Sequence, residues 1–195
     1  PGVIEIRRAE GGSRAWAPKS GEYYTGFTGE YSGLWRRQGR FGPNVMAGVG
    51  FSAEGFDIST YYKRNPDSFN PRAEFIFNGI DSEELIGNFG LIDGGAAGLE
   101  VDRVEREFGT PPHALCLASS ENHTDTYLVV VEDLLFNSPG TGGQENENVR
   151  GDLCFYETAN GGAVFSVSSM AWVGSLPCHD HDNNVSRITK NVLDR

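Results

Sequence analysis

The glycine-rich segment 90–103, GLIDGGAAGLEVDR, constrains the fold of this chain more than any other stretch. Glycines at this density indicate a backbone that turns tightly or lies close to another part of the chain. The residues that follow, Leu99, Glu100, Val101 and Asp102, alternate between apolar and acidic side chains, which is typical of a strand with one buried face. Glu100 is then either a surface residue of that strand or a carboxylate at the wall of a pocket. The alternation alone favours the surface.

The composition restricts the size of the fold and the class of partner. A chain of 195 residues can bury a real core as one domain, and its 26 glycines indicate many turns and short strands rather than long helices. The formal net charge of −11 argues against a nucleic-acid partner, because phosphate binding needs a basic face. No stretch approaches the roughly 20 apolar residues that span a bilayer.

The cysteines and the first residues bear on the compartment and on the length of the natural polypeptide. Cys116, Cys154 and Cys178 are odd in number and form no C-x-x-C pair, so we expect free thiols in a reducing cytoplasm. The chain starts at Pro1 with a strand-like segment and no visible signal peptide. This start predicts a piece of a longer polypeptide.

Local patterns predict short strands through most of the chain and one helix at its end. Short strands or turns are predicted at 3–8, 45–51, 75–77, 85–90, 113–119 and 127–131. A hairpin is predicted at 153–167, around Asn160-Gly161-Gly162. Apolar residues at helical spacing predict a helix within 183–195, capped by Asn183 or Asn184.

Two segments raise the possibility of ligand binding without settling it. Residues 21–40 place aromatic side chains between glycines, which fits either a binding loop or a small second core. Residues 48–53 match G-x-G-x-x-A, but residues 54–57 cannot open the helix that a nucleotide fingerprint requires. Nucleotide binding is therefore not expected.

Three histidines are candidates for chemistry. His179 and His181 could share a cation if they lay on one strand, but a third ligand is missing, so a polar loop that caps the last helix is favoured. His123 follows a buried strand, where it could orient a substrate or act as a base; a solvated turn is the favoured alternative. No nucleophile elbow, phosphate-binding loop or H-E-x-x-H helix occurs.

Several segments taken together resemble, in order, the C-terminal portion of the large (β) subunit of N,N-dimethylformamidases and their relatives. The combination covers nearly the whole chain and is specific, although no single piece is. The segments are GEYYTGFTGEYSGLWRRQGR, NVMAGVGFSAEGFD, GNFGLIDGGAAGLEVDR, GTPPHALCLASSENH, GGAVFSVSSMAWVGSL and DNNVSRITKNVL.

The resemblance implies an α/β fold that is part of a class I glutamine-amidotransferase-like three-layer domain with β-rich, glycine-rich insertions. Residues 1–110 would form a β- and loop-rich segment around the active site. Residues 111–195 would supply strands and the C-terminal helix that complete the α/β core. The two would form one structural unit.

The resemblance also implies an iron-dependent amidohydrolase that converts N,N-dimethylformamide or a similar small amide to an amine and formate. The mononuclear iron would be held upstream by two tyrosines and a glutamate near an H-x-E-Y-W-type motif that is absent from this chain. Tyr23, Tyr24 and Tyr31 are therefore not expected to be iron ligands. Glu100 matches an acid of the family that acts as a general base or orients water.

The implied partners are the rest of the large subunit, a small alpha subunit and further copies in an oligomer of heterodimers. The isolated segment would be inactive, since the iron ligands lie elsewhere. The sequence departs from the family at Asp93, where glycine is common, and in the loop 177–181, which weakens any role for its histidines. The alternative is a non-catalytic packing or oligomer-interface domain; a carbohydrate-binding β module fits less well with the closing helix.

Overall fold

The computed structural model describes residues 14–16, 22–25, 30–33, 42–131, 134–135 and 139–195. Eleven strands occur in this part of the chain: β1 (Arg14–Trp16), β2 (Glu22–Thr25), β3 (Glu30–Gly33), β4 (Gly50–Thr60), β5 (Tyr62–Arg64), β6 (Ala97–Arg103), β7 (Leu115–Ser120), β8 (Leu128–Val131), β9 (Leu134–Leu135), β10 (Asp152–Glu157) and β11 (Ala163–Ser166). The α-helices are α1 (Pro43–Ala47), α2 (Trp172–Ser175) and α3 (Asn184–Leu193), and 3₁₀ helices span Pro66–Phe69, Glu74–Phe77, Arg106–Phe108 and Cys178–His181.

Two four-stranded antiparallel sheets form the framework of the described part. One has the order β11-β10-β7-β5 and the other the order β6-β4-β8-β9, while β1, β2 and β3 form a separate antiparallel sheet. Each four-stranded sheet joins strands from before and after residue 110. The two parts of the chain therefore interleave.

These sheets make the chain a mixed α/β domain with few helices, which confirms the fold class in its coarse form. Every strand pairing described is antiparallel. Parallel pairing through crossover helices is the usual sign of a three-layer α/β sheet. The glutamine-amidotransferase-like arrangement is therefore not confirmed and stays a prediction.

The prediction of a strand at 45–51 is wrong for its first half, because a short helix forms there. Pro43 occupies the first turn, where its fixed φ suits a helix and its missing N–H costs nothing. Gly48 ends the helix in the left-handed conformation at φ 79°, and β4 begins at Gly50. Residues 54–57 continue β4 rather than opening a helix.

The predicted hairpin is confirmed. β10 and β11 pair in register from Cys154↔Ser166 to Glu157↔Ala163, and Gly161 takes the left-handed conformation that the connecting turn needs. Residues 75–77, by contrast, lie in a 3₁₀ helix, and of the segment 85–90 Ile86 alone makes an isolated bridge, with Tyr62.

The predicted C-terminal helix is confirmed as α3, and Asn183 is its cap. The Asn183 Oδ1 accepts the Ser186 N–H at 2.8 Å, while its Nδ2 donates to the Cys178 carbonyl at 2.7 Å. One side chain thus serves both the start of α3 and the turn before it. Asn184 instead accepts the Gly87 N–H at 3.0 Å and ties α3 to the segment before β6.

The main core lies between the β11-β10-β7-β5 sheet and the helices. Val185 and Ile188 of α3 pack there against residues of the sheet and of the 3₁₀ helix Glu74–Phe77. A smaller core under the other sheet contains Ala53, Val101, Tyr127, Val129 and Val149. Burial of these side chains supplies most of the stabilising free energy.

The cysteines are free, and no disulfide links them. Cys116 and Cys154 lie directly opposite each other on β7 and β10, and burial raises their pKa values to about 11 and about 12. Within the described ranges, no helix is both long and apolar enough to cross a bilayer.

Candidate functional site

Glu100 lies in the middle of β6 on the solvent-facing side of the strand. Val101 next to it is fully buried, whereas Glu100 is exposed, as the alternation in the sequence predicts. Directly opposite on β4 is Glu54, so two carboxylates face each other across the strand pair. Partial burial and the charge of Glu100 raise the pKa of Glu54. Like charges at directly opposed positions destabilise a sheet, so this pair lowers the stability of the pairing between β4 and β6.

The residue before Glu100 has an unusual backbone conformation. Leu99 has φ +62°, in the left-handed region that non-glycine residues avoid. This conformation costs on the order of 1–2 kcal/mol for a residue with a Cβ. Strained residues of this kind concentrate at functional sites. The strain at Leu99 lies one peptide away from the candidate carboxylate.

The Leu99 backbone is bound by the side chain of Tyr127. The Leu99 N–H donates to the Tyr127 hydroxyl at 3.1 Å, and Tyr127 is fully buried. Burial raises the pKa of Tyr127, so its hydroxyl stays protonated at neutral pH. The contact satisfies a strand N–H that the irregular register of β6 would otherwise leave unpaired.

Two glycines make room for the Tyr127 side chain. A Cβ at Gly55, the residue opposite Leu99, would lie 2.6 Å from the Tyr127 ring. A Cβ at Gly98 would lie 1.9 Å from the Ser59 hydroxyl and 2.8 Å from the Tyr127 hydroxyl. Gly55 and Gly98 therefore allow the backbone to pack closely against Tyr127.

His123 is buried at 1% exposure, so the solvated turn favoured from the sequence is not what the structure has. Its Nε2 lies 2.7 Å from the Ser120 hydroxyl, and its ring packs against Tyr127 with centroids 4.6 Å apart. Burial lowers the pKa of His123 to about 4, and the nearby Asp57 charge opposes that shift only in part. The imidazole is therefore neutral at physiological pH.

The segment after His123 also borders an open cleft of about 560 Å³. The cleft is lined by polar and acidic residues: Asn122, His123, Thr124, Gly143, Gln144, Glu145, Asn146 and Glu147. A second cleft of about 610 Å³ lies between the 3₁₀ helix at 74–77 and the end of α3. Glu100 lines neither cleft.

Comparison with known proteins identifies the family. Residues 1–185 match the family described as N,N-dimethylformamidase beta subunit-like, C-terminal. The chain belongs to this family. It is 45% identical over 195 residues to the N,N-dimethylformamidase beta subunit of Alcaligenes sp and 46% identical over 193 residues to that of Paracoccus aminophilus. These matches cover 100% and 99% of this chain but 25% of each relative, so the chain spans about a quarter of their length.

The resemblance to the C-terminal portion of dimethylformamidase beta subunits is therefore confirmed. The matches extend along the whole chain and include the glycine-rich segment and Glu100. Both relatives are named as beta subunits of N,N-dimethylformamidase.

Within the described part of this dimethylformamidase-like chain, no group of three or more His, Cys, Asp or Glu side chains could hold a metal ion. His179 and His181 lie in the 3₁₀ turn before α3, both with positive φ, and the His179 ring packs on Phe89 at 4.9 Å between centroids. The loop interpretation of this pair fits the structure better than a two-histidine metal site. Tyr23, Tyr24 and Tyr31 lie in strands whose side chains are outside the described residues.

Sequence reasoning missed Tyr127 and Glu54. Tyr127 falls in the segment 127–131 that the sequence predicts as a strand or turn, and Glu54 falls in residues 54–57, of which the sequence predicts only that they do not open a helix. Glycines at 55 and 98 were the available signal, because each marks a point where another group approaches the backbone. Nothing in the sequence indicated which group that would be.

Proposed function

We propose that this chain is the C-terminal part of an iron-dependent amidohydrolase that converts N,N-dimethylformamide, or a similar small linear amide, to an amine and formate. Membership of the dimethylformamidase beta subunit family supports the reaction class. The observation that carries a role for this chain is Glu100, an exposed carboxylate beside a strained residue whose backbone is held in place.

In this proposal Glu100 manages the proton of the attacking water. Its carboxylate accepts a proton as the water oxygen bonds to the amide carbonyl carbon. The C–N bond then breaks, and the proton passes to the departing nitrogen, so that formate and the amine leave. Glu54 on the facing strand places a second carboxylate opposite Glu100, and burial together with the charge of Glu100 raises the pKa of Glu54.

Iron does not fit the described side chains of this chain, which contain no suitable ligand group. We therefore assign iron to the part of the larger subunit outside this chain. The proposed partners are the remainder of the large subunit, a small alpha subunit and further heterodimers. The isolated chain is expected to be inactive, and the predicted glutamine-amidotransferase-like layers would be completed by that remainder.

Exposed apolar side chains on the segments at 91 and 170–173 support burial of this part of the surface in the complete enzyme. The Met170 N–H donates to the Glu100 carbonyl at 3.4 Å, and Met170 is 52% exposed. Leu91, which is 75% exposed, donates its N–H to the carbonyl of Gly174, the residue after Val173, which is 64% exposed. Clustered apolar exposure of this kind marks contact surfaces. A covered Glu100 would work in a drier and more polarising environment.

The test is Glu100→Gln in the complete enzyme, with Glu107→Gln as the matched control. Glu107 is another exposed carboxylate, on the 3₁₀ helix Arg106–Phe108. We expect hydrolysis of N,N-dimethylformamide to fall by about 10²-fold or more in the first variant, as for loss of a general base, and to stay at the parental rate in the second. Iron content, measured in parallel, should be unchanged in both. Full activity of Glu100→Gln would refute the catalytic role.

A non-catalytic packing or interface domain is the second candidate. It is favoured by the exposure of Glu100 and by the fact that Glu100 lines neither of the two clefts. The glycine- and aromatic-rich segment 21–35 would then be the contact; it contains β2 and β3, but its side chains are outside the described residues. Under this alternative, Glu100→Gln would leave the rate unchanged, while Leu91→Asp would weaken assembly.

A further inference from the structure

We infer that Tyr127 is a positioning residue for Glu100, acting through the backbone of Leu99; this inference rests on the proposed function. Three observations concern Leu99. Leu99 is in the left-handed conformation, its N–H donates to the Tyr127 hydroxyl at 3.1 Å, and Glu100 follows immediately. This hydrogen bond fixes the Gly98–Leu99 peptide, so it holds the backbone one residue before the carboxylate.

The conformation of Leu99 determines where the Glu100 side chain points. In a regular strand successive side chains alternate between faces, and a single left-handed residue re-aims the residues after it. The register between β4 and β6 shifts in this region, from Gly55↔Leu99 to Thr60↔Ala97. Five residues of β4 thus correspond to two of β6, so the regular ladder alone does not hold Leu99.

Tyr127 is itself fixed from several sides. Its ring lies against Gly55, where any side chain would collide, and against the buried ring of His123. His123 is anchored by Ser120, whose hydroxyl also accepts the Gly151 N–H at 2.7 Å. This packing leaves the Tyr127 hydroxyl little freedom. A rigid support of this kind keeps a catalytic group in its productive geometry.

The experiment is Tyr127→Phe in the complete enzyme, with Tyr62→Phe as the matched control. Tyr62 is equally buried and its hydroxyl also bonds to backbone, donating to the Val167 carbonyl at 2.8 Å, but on the other sheet. Both changes remove one oxygen and one buried hydrogen bond, so both are expected to lower Tm by similar amounts.

The kinetic constants separate positioning from stability. For Tyr127→Phe we expect kcat for N,N-dimethylformamide to fall about tenfold with KM within about twofold, because transition-state geometry is lost and ground-state binding is kept. Tyr62→Phe should keep the parental kcat. Equal kcat values for the two variants would overturn the inference.

A second pair of variants keeps the inference testable should Tyr127→Phe not fold. Leu99→Val introduces a β-branched residue that resists the left-handed conformation, whereas Leu99→Gly accepts it freely. We expect Leu99→Gly to keep a larger share of kcat than Leu99→Val, and the reverse order would count against the inference.

The Glu100→Gln variant distinguishes the positioning role of Tyr127 from the catalytic role proposed for Glu100. An inactive Glu100→Gln together with a fully active Tyr127→Phe removes the positioning role and leaves the proposed function intact. A fully active Glu100→Gln removes the proposed function, and with it any role of Tyr127 in catalysis.

Discussion

Replacement of His123 by glutamine should remove a pH dependence of stability that burial of the imidazole creates. His123 is 1% exposed, and burial lowers its pKa to about 4 from an ordinary value of 6.5. Between these two values the unfolded chain binds a proton that the folded chain does not. The free energy of unfolding therefore decreases as the pH falls from 6.5 to 4, and it stops decreasing once both states are protonated.

The size of the effect follows from the difference between the two pKa values. Each pKa unit corresponds to about 1.4 kcal/mol. The free energy of unfolding is therefore lower by about 3 kcal/mol at pH 4, and by roughly 1.4 kcal/mol near pH 5.5. This is a large share of the stability of an ordinary domain. Glutamine keeps a polar group near Ser120 but cannot take up the proton.

Urea unfolding at a series of pH values from 4 to 7.5 measures this difference directly. The free energy of unfolding of the parent minus that of His123→Gln should fall by about 3 kcal/mol from the upper to the lower end. Subtraction removes the titration of groups that the two proteins share. His113→Gln, which alters an exposed imidazole in the turn before β7, is the control. Parallel curves for the parent and His123→Gln would show that the imidazole is not held neutral by burial.

Three further experiments test the framework that carries the site. Asn183→Ala removes the cap of α3 together with its bonds to the preceding turn and should cost about 2 kcal/mol in urea unfolding; a loss below about 0.5 kcal/mol would contradict this account of the cap. Ile188→Ala, in the main core, should cost about 2–5 kcal/mol, whereas Leu193→Ala, at 79% exposure on the same helix, should change stability by less than about 0.5 kcal/mol. Iodoacetamide at pH 8 should label Cys178 well before Cys154, whose pKa burial raises to about 12, and peptide mass spectrometry would show the reverse order if Cys154 were reactive.

Elements governed by neighbouring residues could be predicted from the sequence. The hairpin from β10 to β11 and the helix capped by Asn183 depend on turn glycines, apolar spacing and one cap, which lie within a few residues of each other. The strand that carries Glu100 was predicted for the same reason. Helix α1 was missed because Val45 and its neighbours have strand propensity, while Pro43 and Gly48 impose a helical turn on them.

The candidate site depended on contacts between distant residues and could be predicted only in part. Tyr127 reaches the Leu99 N–H across 28 residues of sequence, and Glu54 faces Glu100 through the register of two separate strands. His123 was interpreted as solvated because its segment is polar, yet it packs beneath the sheet on Tyr127. The polarity of the neighbouring residues in the sequence does not indicate this burial, since the residues that cover His123 come from elsewhere in the chain.

The exposure of Glu100 is best interpreted together with the conformation of the backbone that precedes it. A surface glutamate on a strand needs no defined direction, and its neighbours would be expected to take ordinary extended angles. Leu99 instead has a conformation of high energy, supported by a buried hydroxyl that fits only because Gly55 and Gly98 lack side chains. Strain of this kind persists where the surrounding structure enforces it. The fold therefore fixes the backbone before the Glu100 carboxylate, and under the proposed function a reacting group supplied by the rest of the enzyme gives that fixed position a use.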